Sequence, residues 1–153
     1  MATPLVDRSG RCSYHLEPMV GESREASPDA SIAAIVAREP VVRAAWVFGS
    51  RARGEARRGS DLDVAVLLDP RAPSDVLTRL SGALSRHFGV EADVVDLARA
   101  TPVLGFEIVS GGRRVFARDA EAADDAEEHC LREYLDTGHM RRVQHHYLYG
   151  DPL

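Results

Sequence analysis

The sequence predicts an α/β (α+β) domain, a small mixed β-sheet flanked by helices. Three observations carry that assignment. Short runs of β-branched and aromatic residues alternate along the chain with longer segments of helical period. Ser27-Pro28 and Thr101-Pro102 mark helix starts, while Gly89 and Gly111-Gly112 mark helix ends. One run, DLDVAVLL at 61–68, is apolar on both faces, as a strand in the middle of a sheet must be.

Residues 1–27 are polar and punctuated by Pro4, Gly10, Pro18 and Gly21; they read as a flexible leader, with Met19 as an alternative start. The domain proper is expected over 28–149. SPDASIAAIVARE (27–39) is helical, with Ser27 as N-cap and Pro28 at the first position. VVRAAWVF is a strand ending at Gly49, with Trp46 in the core, and DLDVAVLL is the next strand. In SDVLTRLSGALSRHF, Val76, Leu77, Leu80, Ala83, Leu84 and Phe88 have the spacing of an amphipathic helix, ended by Gly89. VEADVVDL follows as a strand, then a helix from Thr101-Pro102 to Gly111-Gly112, then RRVFAR as an edge strand. A helix is expected from Asp119 to Gly138, followed by the basic, aromatic tail HMRRVQHHYLYG.

At 153 residues the chain suits one compact domain, and 44% hydrophobic residues supply a core. A net charge of −5 argues against direct nucleic-acid binding by phosphate neutralisation. No apolar run approaches membrane-spanning length and residues 1–27 lack a signal-peptide core, so a cytoplasmic protein without a membrane partner is expected. Cys12 and Cys130 form no CxxC motif and read as free thiols. All 19 basic residues are arginine, which excludes Lys nucleophile and Schiff-base chemistry.

The densest chemistry lies in FGSRARGEARRGSDLDVAVLLD, residues 48–69. Asp61 and Asp63 stand two apart at a strand start and project to one face. Carboxylates held this close repel and raise each other's pKa unless a cation neutralises them. Mg2+ suits the position, being hard and usually held by one or two carboxylates plus substrate phosphates. Taken alone, the pair also suits a capped turn before a strand, with Ser60 and Asp61 as turn residues. Ten residues upstream, Gly49-Ser50 follows a strand; glycine lets a phosphate approach the backbone, and Ser50 adds a hydroxyl. Arg51 and Arg53 stand where they balance phosphate charge. Two-metal transfer to phosphorus asks for one more carboxylate, to complete the metal pair and accept a proton. VEADVVDL offers Glu91, Asp93 and Asp96. Asp93, midway along an apolar strand, is the costliest to leave unpaired; Glu91 shares its face, and Asp96 lies on the other.

Gly49-Ser50, ten residues, Asp61-x-Asp63 and then Asp93 on a later strand resembles the nucleotidyltransferase superfamily of the DNA polymerase β type. The string GSRARGEARRGSDLDVAV followed by EADVVDL is similar to its minimal nucleotidyltransferases, antitoxin halves of two-gene modules whose partner is a HEPN-domain toxin. The resemblance covers about residues 30–149. It implies a polymerase β-like fold in which Gly49 and Ser50, with Arg51 and Arg53 beside them, hold the nucleotide phosphates. It implies that Asp61 and Asp63 ligate two Mg2+ ions, and that Asp93 ligates one of them and activates the acceptor. The implied reaction is attack of an acceptor hydroxyl on the α-phosphorus of ATP, with release of pyrophosphate. The implied acceptor is a tyrosine of the HEPN toxin, an RNase silenced by adenylylation. Two alternatives stay open: a small-molecule nucleotidyltransferase working with a separate acceptor-binding chain, and an antitoxin acting by contact alone.

The segment 119–149, read as a C-terminal helical segment, mixes aromatic, arginine and apolar residues, a composition that suits a partner surface and equally a helix packed on its own sheet. The acidic run from Asp119 to Glu128 reads as a solvated helix start favoured by the macrodipole. His145-His146 lack the i, i+4 spacing of helical metal ligands.

Overall fold

The computed structural model describes residues 5–6, 12–13, 27–57 and 59–149. The expected leader, with Met19 and the Cys12 side chain, falls outside these residues, apart from an antiparallel pairing of Leu5–Val6 (β1) with Cys12–Ser13 (β2). Pro28–Val36 forms α1, with Pro28 in its first turn and the Ser27 hydroxyl oxygen accepting from the Ala30 N–H at 3.3 Å. β3 (Val42–Phe48) runs directly into α2 (Gly49–Ala52), a single helical turn. β4 (Leu62–Leu68), α3 (Val76–Phe88) and β5 (Ala92–Asp96) follow, with Gly89 capping α3 at φ +66. After a 3-10 turn at Leu97–Arg99 come α4 (Pro102–Gly111), β6 (Arg113–Ala117), α5 (Ala120–Asp136) and α6 (Gly138–Tyr149). Among the described residues no helix is long and apolar enough to cross a membrane.

The main sheet has the order β5-β4-β3-β6. β3 is antiparallel to both β4 and β6, while β4 and β5 are parallel, so the sheet is mixed and β6 is an edge, as the sequence predicts. Side-chain parity divides the core into two layers. Val47, Leu62, Val64, Val66 and Val94 pack with Ile32 and Val36 of α1 and with Leu80 and Leu84 of α3. Ala44, Trp46, Phe48, Ala65 and Leu67 pack on the opposite face with Ile108 of α4 and with Ala123 and Cys130 of α5. Trp46 is 1% exposed, and its indole N–H donates to Glu127 Oε1 at 2.7 Å. At the other edge the start of β5 is clamped by α3: the Ser81 hydroxyl donates to the Ala92 carbonyl at 2.7 Å, and the Ala92 N–H donates to Ser85 Oγ at 3.0 Å. This fixes the backbone one residue ahead of Asp93.

The C-terminal helical segment is two helices rather than one, with the first ending at Asp136 instead of Gly138. Thr137 makes the break: as C-cap it leaves helical geometry, and its hydroxyl donates to the Glu133 carbonyl at 2.7 Å. α6 then starts from a three-layer stack in which Phe106 of α4 lies 3.9 Å from Tyr134, and the Arg141 guanidinium lies 3.7 Å over the other face of that ring. No residue of α6 whose burial is described is buried.

Asp29, in the first turn of α1, ties that helix to the sheet by accepting from Arg113 of β6 at 2.6 and 2.8 Å. Hydrogen bonding to Arg113 holds the Asp29 pKa below its ordinary value. A depressed folded pKa contributes stability that is present above the unfolded value, about 3.9, and is lost as pH falls through the folded one. Asp29→Asn is therefore expected to lower stability at neutral pH and to make the acid limb shallower below about pH 4, as read from denaturant unfolding across pH.

Candidate active site

The turn from β3 into α2 lies beside the start of β4 because Phe48, the last residue of β3, pairs with Asp63 in the antiparallel ladder. Asp63 in turn pairs with Asp93 in the parallel ladder. Directly paired residues on neighbouring strands point to the same face, with backbones about 4.8 Å apart. Asp63 alternates with Leu62 and Val64 and so shares the face of Ala65 and Leu67, the one covered by α4 and α5. Gly49-Ser50, Asp63 and Asp93 thus meet across three strands at one end of the sheet.

Gly49 has φ +68, and a Cβ at this position would stand 2.2 Å from Asp63 Oδ2 and 3.1 Å from its Cγ. The glycine is needed twice, for the left-handed backbone and for room. The sequence points to a phosphate as the group that approaches this backbone; the structure places the Asp63 carboxylate there as well. Asp63 is half-buried, and its pKa is pushed up by that burial first and then by the charges of Asp93, Asp61 and Glu107, with Arg51 opposing. Asp61 lies ahead of β4, outside the ladder, and is exposed, as is Asp93.

Arg51, on α2, turns its guanidinium to the chain entering β4: Nε donates to the Asp61 carbonyl at 3.1 Å and Nη2 to the Ser60 carbonyl at 2.7 Å. Arg53 is held by carboxylates, Glu55 at 3.0 Å and Glu107 at 3.5 Å. Of the other acids on the third strand, Glu91 precedes β5, its side chain exposed and its carbonyl accepting from the Leu62 N–H at 2.8 Å. Asp96 caps the 3-10 turn, accepting from the Ala98 N–H at 3.1 Å.

Glu107 is the residue that sequence reasoning misses. It reaches the group because α4 packs against α2. Its one local signal is that it is the only charged residue in the helix PVLGFEIVSG. A cavity of about 160 Å³ opens on the other side of the sheet, where Ile32, Val47, Leu62 and Phe88 line it with Arg51 and Arg113; none of the site carboxylates does.

Among the described residues no three His, Cys, Asp or Glu side chains form a ready-made metal ligand set. The donor chemistry nevertheless fits a hard divalent cation: burial first, and then the charges of Asp93, Asp61 and Glu107, raise the pKa of Asp63, and a cation beside it offsets both. Mg2+ is usually held by one or two carboxylates, with water and substrate phosphate completing its shell, so it needs no prebuilt cage.

The family described as polymerase beta, nucleotidyltransferase matches residues 30–121. The chain is 33% identical over 81 residues to the protein adenylyltransferase MntA of Shewanella oneidensis, a match that takes in 50% of this chain and 55% of that protein. The chain thus spans about half the length of that curated relative. A crystal structure of a toxin–antitoxin with AMP-PNP is similar in fold, with a TM-score of 0.64 at 21% identity over 80% of this chain and 96% of that one. A tri-AMPylated Shewanella oneidensis HEPN toxin in complex with MNT antitoxin gives a TM-score of 0.62 at 20% identity, over 76% of this chain and 91% of that one. A match running through more than half of the chain, from α1 to the start of α5 and across every residue of this carboxylate site, means that the chain belongs to the polymerase β nucleotidyltransferase family.

Proposed function

We propose that the chain is a Mg2+-dependent nucleotidyltransferase of the cytoplasm that moves AMP from ATP to a tyrosine hydroxyl of a HEPN-type RNase toxin, and so acts as its antitoxin. The observation that carries the proposal is the Asp63–Asp93 pair on adjoining parallel strands, set against the Gly49-Ser50 turn. The resemblance of the motif to minimal nucleotidyltransferases, the adenylyltransferase relative and the AMPylated toxin bound to a protein of this fold all support the same reading.

In this reading Gly49 and Ser50 take the nucleotide phosphates, and Arg53 exchanges its exposed pairing with Glu55 and Glu107 for a phosphate oxygen. Asp61, Asp63 and Asp93 would hold two Mg2+ ions, which when bound supply charge neutralisation at the attacking and leaving oxygens. Asp93, at the exposed edge strand, accepts the proton of the incoming hydroxyl. The acceptor oxygen bonds to the α-phosphorus as the bond to the bridging oxygen breaks, and pyrophosphate leaves. The far end of α5 and α6 present the toxin with Leu135, Met140 and Leu148, 74%, 69% and 66% exposed, alongside Arg141 and Arg142.

Intact-mass analysis of the chain incubated with Mg2+, ATP and a HEPN-type toxin tests the proposal. An adenylyl increment on the toxin is expected, and none is expected with Asp61→Asn. Tight binding of the toxin without any increment would replace the proposal by inhibition through contact alone. Transfer only to small hydroxyl compounds would replace it by the small-molecule reading.

A further inference from the structure

Arg51 and Arg53 stand two residues apart beside the phosphate turn, yet their surroundings differ in kind. Arg53 meets side-chain carboxylates at the exposed lip of the site, partners that an anionic ligand displaces. Arg51 meets backbone. Its Nε and Nη2 form one of the two guanidinium edges that grip carboxylates and phosphates bidentately, and that edge is already occupied by the carbonyls of Asp61 and Ser60 at 3.1 and 2.7 Å. Its side chain also lines the cavity shared with Val47 and Leu62.

What Arg51 ties together is the part of the site that the sheet does not hold. β4 begins at Leu62, so Asp61 precedes the ladder. The turn before it contains Gly59 at φ +89, and Ser60 closes on Arg57 through its N–H at 2.9 Å and its Oγ at 2.8 Å. The Glu55 N–H holds the Ser50 carbonyl at 2.9 Å and the Leu62 N–H holds the Glu91 carbonyl at 2.8 Å, but among the described residues of that turn neither bond joins Ser50 to Asp61. Arg51 bridges them directly, because it sits one residue after Ser50 and reaches the carbonyl of Asp61 itself. We infer that Arg51 is a positioning residue, a tie between the phosphate turn and the first carboxylate, rather than a direct ligand of the nucleotide. The inference rests on the nucleotidyltransferase reading above.

A tie and a ligand respond differently to lysine. An ammonium is a point charge that replaces arginine at a phosphate, but its donors share one freely rotating nitrogen and lack the rigid planar fork that holds two carbonyls at a set spacing. With the full chain, Arg51→Lys and Arg51→Ala are expected to bind AMP-PNP with Mg2+ within about 3-fold of the parent affinity by calorimetry, while kcat falls about 10- to 100-fold in both. Hydrogen exchange at the Ser60 and Leu62 amides, bonded to the Arg57 and Glu91 carbonyls, is expected to quicken about 10-fold in both variants. Arg51→Lys keeping its activity while Arg51→Ala loses affinity, with exchange unchanged, would overturn the inference and make Arg51 a phosphate ligand. If the parent chain itself transfers nothing, the functional reading fails, and exchange together with AMP-PNP affinity still decides the role of Arg51.

Discussion

Asp63→Asn is expected to reduce adenylyl transfer by about 10³-fold or more while raising Tm rather than lowering it. The two effects have one cause. Asp63 sits half-buried among Asp93, Asp61 and Glu107, and both burial and those charges favour its protonated form. A carboxyl whose folded pKa stands above its unfolded value ionises at a cost to the fold. Stability therefore falls as pH rises from the unfolded value through the folded one, and the deficit is complete above it. Asparagine keeps the shape and the approach to Gly49 but carries no charge, so the variant is spared the deficit and its pH profile is flatter in that window. On the proposed reading, the same substitution also removes a charge that would hold the metal where transfer is to be organised. Scanning fluorimetry with and without Mg2+ and AMP-PNP checks both halves: the additions raise Tm in the parent chain by neutralising the cluster and do so less in the variant. Full transfer by Asp63→Asn with Mg2+ still bound would sink the site assignment.

How much of this site is legible in the sequence depends on how local each interaction is. Ser27-Pro28 and Thr101-Pro102 announce their helices because an N-cap works within three residues: Ser27 reaches Ala30, and Thr101 reaches Leu104. Asp63 is legible from its place in an apolar strand, but the parity argument does not carry Asp61, which stands ahead of β4, and the burial cost that singles out Asp93 is not incurred, because Asp93 is exposed on an edge strand. That Asp93 is the ladder partner of Asp63 is a different kind of fact. It depends on β4 and β5 pairing in parallel across the intervening α3, and no stretch of sequence states that register. Glu107 and the second role of Gly49 are hidden for the same reason, since one arrives through the packing of α4 on α2 and the other through contact with a residue fourteen positions on. The break at Thr137 is hidden differently, because it turns on a hydroxyl bonding back to Glu133 and on a Phe106–Tyr134–Arg141 stack spanning three helices. Periodicity carries the layers of this fold; tertiary contacts carry the details of its chemistry.

Gly49→Ala is expected to be the most damaging single-methyl change in the site. Placing an L-residue at φ +68 costs about 1–2 kcal/mol by itself. The added Cβ, 2.2 Å from Asp63 Oδ2, then forces either the carboxylate or the turn to move. Ser50 and Asp63 flank that contact, so either movement separates the Gly49-Ser50 turn from the carboxylates, and on the proposed reading a displacement near 1 Å suffices for a loss of about 10²-fold in rate. The strain term and the clash term are separable, because only the clash involves Asp63. In an Asp63→Ala background the carboxylate is gone, and Gly49→Ala should then cost only its backbone strain. A double-mutant cycle on denaturant stability is thus expected to show a coupling of about 0.5–3 kcal/mol, with the double variant more stable than the sum of the singles requires. Additivity within about 0.3 kcal/mol would mean that the Asp63 carboxylate does not rest against Gly49, and the close approach that joins the two halves of this site would be lost with it.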